Sequence, residues 1–178
     1  MKIFIITYPE SKTIDKCVNR YKEFGYDPII FMGKSVVKDY IPSNTICFIN
    51  MIDLLDTIDM SEDICISEDD VWLNEKIEIE KPNDINWLGY WNVTKSFIMG
   101  AMLIYYPKDC LPHIKRQFNS KIPQHLDRFI FNYFEYILRD KPICLEIPHE
   151  SIILEQYSKG KKSIRNHKYV LASIMEED

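Results

Sequence analysis

The chain has 178 residues, 46% hydrophobic and 13% aromatic, enough to bury a substantial core in one domain. A net charge of −5 excludes a wholly basic nucleic-acid coat, though not a local basic patch. The apolar runs, such as "FIMGAMLIYY", fall far short of the roughly 20 residues that cross a bilayer, so no membrane span is expected. Cys17, Cys47, Cys65, Cys110 and Cys144 are scattered, with no pair at metal-ligand spacing, and read as reduced core residues of a cytoplasmic protein.

Apolar periods of about 2 and about 3.6 alternate along the chain, which predicts an α/β domain with a mostly parallel central sheet flanked by helices. "KIFIITY" is a β-branched run and reads as a buried first strand, not as a signal peptide, because a Tyr-Pro turn follows at once. In "SKTIDKCVNRYKEFG", Ile14, Cys17, Val18, Tyr21 and Phe24 fall at helical spacing, with Ser11 or Thr13 as N-cap and Gly25 as C-cap. "DPIIFMG" is then a second strand, parallel to the first because a helix separates them. "NTICFIN" reads as a short third strand, "MIDLLDTID" as a helix, and "DICIS" as the strand it leads into. Further on, "DINWLGYW" and "FIMGAMLIYY" are apolar enough to be neighbouring strands buried on both faces, joined by the polar "NVTKS". "PKDCLPHIKRQF" and "PQHLDRFIFNYFEYILRD" read as helices, "KPICLEIP" as a last strand, and "SKGKKSIRNHK" as a basic tail.

The strongest chemical signal is the run Glu68, Asp69, Asp70 at the end of "DICIS". In an open α/β sheet, ligands gather beyond the carboxyl ends of the strands. On extended chain Glu68 and Asp70 point to one side and Asp69 to the other. Two carboxylates on one side suit a hard divalent cation, Mg²⁺ or Mn²⁺, shared with substrate phosphates. The plain alternative is an acidic turn left in solvent. The five glycines form no G-x-G-x-x-G or Walker motif, which argues against a nucleotidyltransferase or phosphatase-like reading of the same strand end.

The order of these segments resembles glycosyltransferase family 25, the lipopolysaccharide-biosynthesis type, built on the GT-A fold. The resemblance runs through nearly the whole chain: "MKIFIITYPESKTIDKCVNRYKEFGYDPIIFMG" at the start, "ICISEDDVWL" as the most specific motif, then "FIMGAMLIYYPKDCLPHI", "PQHLDRFIF" and "LEIPHESIILEQYS". It departs at Ala101, where the family carries a hydroxyl residue after the Gly. The resemblance implies transfer of a sugar from a nucleoside diphosphate donor to a hydroxyl acceptor, with Mn²⁺ or Mg²⁺. It divides a single domain, 1–178, into a nucleotide-sugar-binding half (1–70), an acceptor-side half (71–158) and the basic tail (159–178).

With that family in mind, Glu68 and Asp70 are expected at the metal and diphosphate, and Asp69 at the ribose or donor sugar. Thr7 and Tyr8 are expected to border the nucleoside, although Tyr8 equally suits a turn aromatic before Pro9. Asp127 is the candidate general base or donor-sugar contact, its alternative being a first-turn acid on the helix dipole. His149 is a candidate third metal ligand, or else a partly buried polar residue. Gln156 falls in the late Pro and Gln segment and is expected at the donor. Lys162, among Lys159, Lys161, Arg165 and Lys168, is placed to close over the diphosphate, unless that run meets a polyanionic acceptor such as hydroxyl-modified DNA or stays solvated. Trp87, Tyr90 and Trp91 suit either sugar stacking or core packing. A glycan is the expected acceptor. A degenerate relative that binds sugar nucleotide or glycan without turnover is the competing function.

Overall fold

The computed structural model describes residues 1–35, 43–73, 76–79, 82–89, 92–93, 98–99, 103–120, 126, 145–146 and 170–173. Strand β1 (Lys2–Thr7) is followed by helix α1 (Ile14–Glu23), β2 (Ile29–Met32) and helix α2 (Ser43–Thr57). Strand β3 (Ile64–Glu68) turns directly into β4 (Val71–Leu73). Then come β5 (Ile85–Gly89), β6 (Asn92–Val93), β7 (Ile98–Met99) and β8 (Leu103–Tyr106). A 3-10 turn (Lys108–Cys110) leads into α3 (Leu111–Asn119), and β9 (Leu145–Glu146) and β10 (Val170–Ser173) complete the described elements.

Six strands form one sheet in the order β2-β1-β3-β8-β5-β9. β2, β1 and β3 are mutually parallel, β8 runs antiparallel to both β3 and β5, and β9 is parallel to β5. The predicted mostly parallel sheet is therefore present, with β8 as the reversed strand. Alternation along β1 and β3 divides the core in two. Phe4, Ile64 and Ile66 face Phe48, Met51, Leu54 and Leu55 of α2 and Ile114 and Phe118 of α3. Ile3, Ile5 and Cys65 face Cys17 and Tyr21 of α1. Each fully buried side chain of this size contributes about 1.5–3 kcal/mol, and the Phe48 and Phe118 rings meet at 4.7 Å between centroids.

Helix α1 uses the predicted stripe: Cys17 and Tyr21 are fully buried, and Ile14, Val18 and Phe24 pack around them. Thr13 occupies the N-cap without a side-chain capping bond. Gly25, at φ +81°, ends the helix as expected: its N–H donates to Lys22 O at 2.9 Å, and Tyr26 N–H donates to Tyr21 O at 3.2 Å. Arg20 stacks over both Phe24 and Trp72 and donates to Leu73 O at 2.6 Å, which ties α1 to β4.

Three readings of the sequence change. "NTICFIN" is not a strand but the first half of α2, whose Phe48, Met51, Leu54 and Leu55 continue one buried stripe. "FIMGAMLIYY" contains two strands, and the first of them, β7, makes a small antiparallel pair with β6. The chain beyond the basic run returns as β10 and pairs antiparallel with β4, setting Val170 opposite Leu73 and Ser173 opposite Val71. The predicted helix after residue 120 lies outside the described residues except at Leu126. No helix among the described residues is long and apolar enough to cross a membrane.

Among the described residues β2 is one edge of the sheet and leaves Ile29, Ile30 and Met32 exposed. The strand is short. Pro28 has no N–H to offer at one end, and at the other Asn50 accepts from Lys34 N–H at 2.8 Å and donates to Lys34 O at 3.2 Å.

Candidate functional site

Because β1, β2 and β3 are parallel and in close register, their carboxyl ends reach the same edge of the sheet: Thr7 lies opposite Met32, and Glu68 opposite Ile6. The acidic triplet sits at this edge, the position expected of a ligand site in an open α/β sheet. Glu68 closes β3, and Asp69 and Asp70 form the turn into β4. The chain is therefore not extended through the triplet, and simple alternation does not carry across it.

The three carboxylates have different surroundings. Asp69 is buried, and its Oδ2 accepts a 2.7 Å hydrogen bond from Oγ1 of Thr7, which is itself 1% exposed. Glu68 is half-buried and borders an apolar crevice with Ile6 of β1, Met51 of α2, Ile104 and Tyr106 of β8, and Leu126. Asp70 is half-buried, with its Oδ1 oxygen shielded from solvent.

Two thiols register the field of this cluster from opposite sides of the sheet. Burial pushes the Cys17 thiol on α1 well up, and the charge of Asp70 adds most to that effect. On α2, Cys47 keeps an exposed face. Even so, loss of water around its sulfur, followed by the charge of Glu68, pushes its thiol up to about 12. Glu68 thus weighs most on the α2 side and Asp70 most on the α1 side, with Asp69 between them, turned toward β1.

The end of β3 is pinned from behind. Tyr21 OH donates to Ser67 Oγ at 2.9 Å, and Ser67 Oγ donates to the Glu68 carbonyl at 2.8 Å. Neither residue stood out in the sequence as part of the site; the signal was one hydroxyl residue inside the apolar "ICIS", facing the helical stripe that holds Tyr21. Asn50 was likewise hidden, a buried amide within an apolar helix.

Of the other expected site residues, Tyr8 follows the buried Thr7 and is itself exposed, and its carbonyl accepts from Ser11 N–H at 3.0 Å in a turn. Trp87 lies in β5, paired with Ile104. Asp127, His149, Gln156, Lys162, Tyr90 and Trp91 lie outside the described residues.

Among the described residues, no group of three or more His, Cys, Asp and Glu side chains converges as a metal cage. The donor chemistry is nevertheless of the kind a hard cation takes, because Mg²⁺-type ions are commonly held by one or two carboxylates plus substrate phosphates. Glu68 and Asp70, both half-buried at the end of β3, each carry such oxygens, Glu68 toward α2 and Asp70 toward α1.

Neither a protein-family model nor a curated protein sequence matches the chain. Solved structures do match. A glycosyltransferase involved in the glycosylation of the major capsid of PBCV-1 superimposes with a TM-score of 0.50 at 16% identity, covering 83% of each chain. A Drosophila beta-1,4-galactosyltransferase 7 variant in complex with manganese, UDP-Gal and xylobiose gives a TM-score of 0.49 at 12% identity, over 84% of this chain and 66% of that one. The first of these likenesses, together with the sheet order, shows the GT-A-like α/β fold.

Proposed function

We propose that the protein is a metal-dependent glycosyltransferase of family-25 type that moves a sugar from a nucleoside diphosphate donor to a hydroxyl acceptor. The observation that carries this reading is the acidic triplet at the carboxyl end of β3, beside Thr7 at the end of β1, in a sheet of GT-A-like order. Glu68 and Asp70 would hold Mn²⁺ or Mg²⁺, with His149 as a third ligand. A bound cation would supply bridging of the diphosphate and would offset charge on the departing phosphate. Asp69 keeps one oxygen, Oδ1, for the ribose or donor sugar while its Oδ2 is held by Thr7. Tyr8 borders the nucleoside.

Asp127 is assigned as general base toward the acceptor hydroxyl, and Gln156 and Lys162 as donor contacts, Lys162 meeting the diphosphate charge. Residues 1–70 form the donor half and residues 71–158 the acceptor side of one domain, with 159–178 as its basic tail. A glycan is the acceptor we favour; the basic run that would meet a nucleic acid lies outside the described residues. A cytoplasmic location suits Cys17, Cys47, Cys65 and Cys110, which all carry free thiols.

The test is a melting-temperature screen of the protein with UDP, GDP and CMP sugars, each with Mn²⁺, with Mg²⁺ and with EDTA. One nucleotide series should stabilise the fold in the presence of metal and lose its effect in EDTA. Failure of all three series to shift the transition would remove the donor-site reading.

A further inference from the structure

We infer that Thr7 is a positioning residue of the donor site, acting on the ligand through Asp69 without touching it. The inference rests on the donor-site reading above. Thr7 was expected to border the nucleoside, but its side chain is 1% exposed and its hydroxyl is directed at Asp69 Oδ2, 2.7 Å away. The two residues are 62 positions apart, Thr7 closing β1 and Asp69 following the end of the neighbouring parallel strand β3, so this bond extends the β1–β3 pairing into the acidic turn. Thr7 is itself held from the opposite side. Its carbonyl accepts the Gly33 N–H at 2.7 Å, and Gly33 lies against Asn50, which brackets the backbone of Lys34.

A chain of contacts thus runs from α2 through the end of β2 and the end of β1 to the middle carboxylate of the triplet. Without the Thr7 hydroxyl, a buried carboxylate would lose its donor, and the turn that carries Asp70 would be free to rotate toward water. The geometry of the outer carboxylates would then no longer be preset, and forming the site would cost ordering entropy at each binding event.

The experiment measures binding of UDP, GDP and CMP in Mn²⁺ by calorimetry for wild type, T7S, T7V and T7A, and for T7V in a D69A background. For the nucleotide that binds, T7S should stay within threefold of wild type, while T7V and T7A weaken binding at least tenfold. In the D69A background the effect of T7V should fall below threefold, because the residue through which Thr7 acts is gone. A packing role would not give this pattern. If T7V fails to fold, or D69A binds too weakly to measure, the comparison of T7S with T7A decides. The inference is overturned if T7V or T7A binds as wild type does, if T7S weakens as much as T7V, or if the T7V loss persists in the D69A background, as direct contact with the ligand would require. Absence of binding by the wild type to every nucleotide would remove the donor-site reading and this inference with it.

Discussion

Gly33 lies so close to Asn50 that a Cβ added to the glycine would stand 2.5 Å from Asn50 Nδ2 and 2.6 Å from its Cγ. The amide cannot simply swing away, since it both accepts from and donates to the Lys34 backbone. Gly33→Ala should therefore destabilise the fold by about 1–3 kcal/mol, the usual range for overpacking. Asn50→Ala should cost about 1–2 kcal/mol through two lost hydrogen bonds. Urea denaturation of the three proteins checks both values. An alanine at position 33 that leaves the midpoint unchanged would show that Asn50 can be displaced freely.

Tyr21 and Ser67 should respond unequally to mutation. Tyr21→Phe removes a donor from Ser67, whose own hydrogen still reaches the Glu68 carbonyl, so the loss should be about 0.5–1.5 kcal/mol. Ser67→Ala strands a fully buried phenol and should cost more, about 1–3 kcal/mol. Equilibrium unfolding of the two variants gives the order directly; the reverse order would mean that the phenol finds another acceptor.

How much of this was legible depends on how local each signal is. α1 was readable because Cys17, Tyr21 and the residues around them recur at one helical period and Gly25 marks the stop. The first half of α2 was misread because Thr45, Ile46, Phe48 and Ile49 are β-branched or aromatic, and tertiary burial of Phe48 against Phe118 overrides that local preference. The pairing of β10 with β4 had no local signature, since it joins residues about a hundred positions apart in strands of three and four residues. At the site, the triplet and its place at a strand end were visible in sequence. The division of labour within it was not, because the inward turn of Asp69 depends on the end of a strand 62 residues away.

Alkaline pH should destabilise the protein from about pH 9 upward. Burial pushes the thiols of Cys17 and Cys65 and the hydroxyls of Tyr21 and Tyr106 upward, and Cys47 is raised to about 12 from an ordinary value near 9. Each such group holds its proton more tightly when folded than when unfolded. Their contribution is therefore fully present below the unfolded values and is lost as pH rises through the folded ones. At Cys47 the same shift predicts slow alkylation at pH 8 despite an exposed face. Mass-spectrometric labelling should show Glu68→Gln accelerating that reaction, because the carboxylate is the largest electrostatic contribution to the shift. Equal labelling rates in the two proteins would place Cys47 outside the field of the triplet.

The acidic triplet itself predicts a crossed result. Two like unit charges held about 5 Å apart repel by about 1–3 kcal/mol at effective dielectric constants between about 80 and 20, and neighbouring carboxylates in sequence feel repulsion of this kind. Asp70→Asn removes one charge from this set, so the metal-free variant should match or exceed wild-type stability. With Mn²⁺ and a nucleotide the order should invert. Wild type at 100 times the dissociation constant gains about 2.7 kcal/mol, and the variant, short of one charged oxygen ligand, should gain little. Glu68→Gln should follow the same pattern if both outer carboxylates share the cation. Melting curves in EDTA and in Mn²⁺ with nucleotide, run on all three proteins, test this. A variant that gains as much as wild type would assign Asp70 to the fold instead of the cation, and a variant destabilised in EDTA would show that repulsion in the triplet is already relieved without metal.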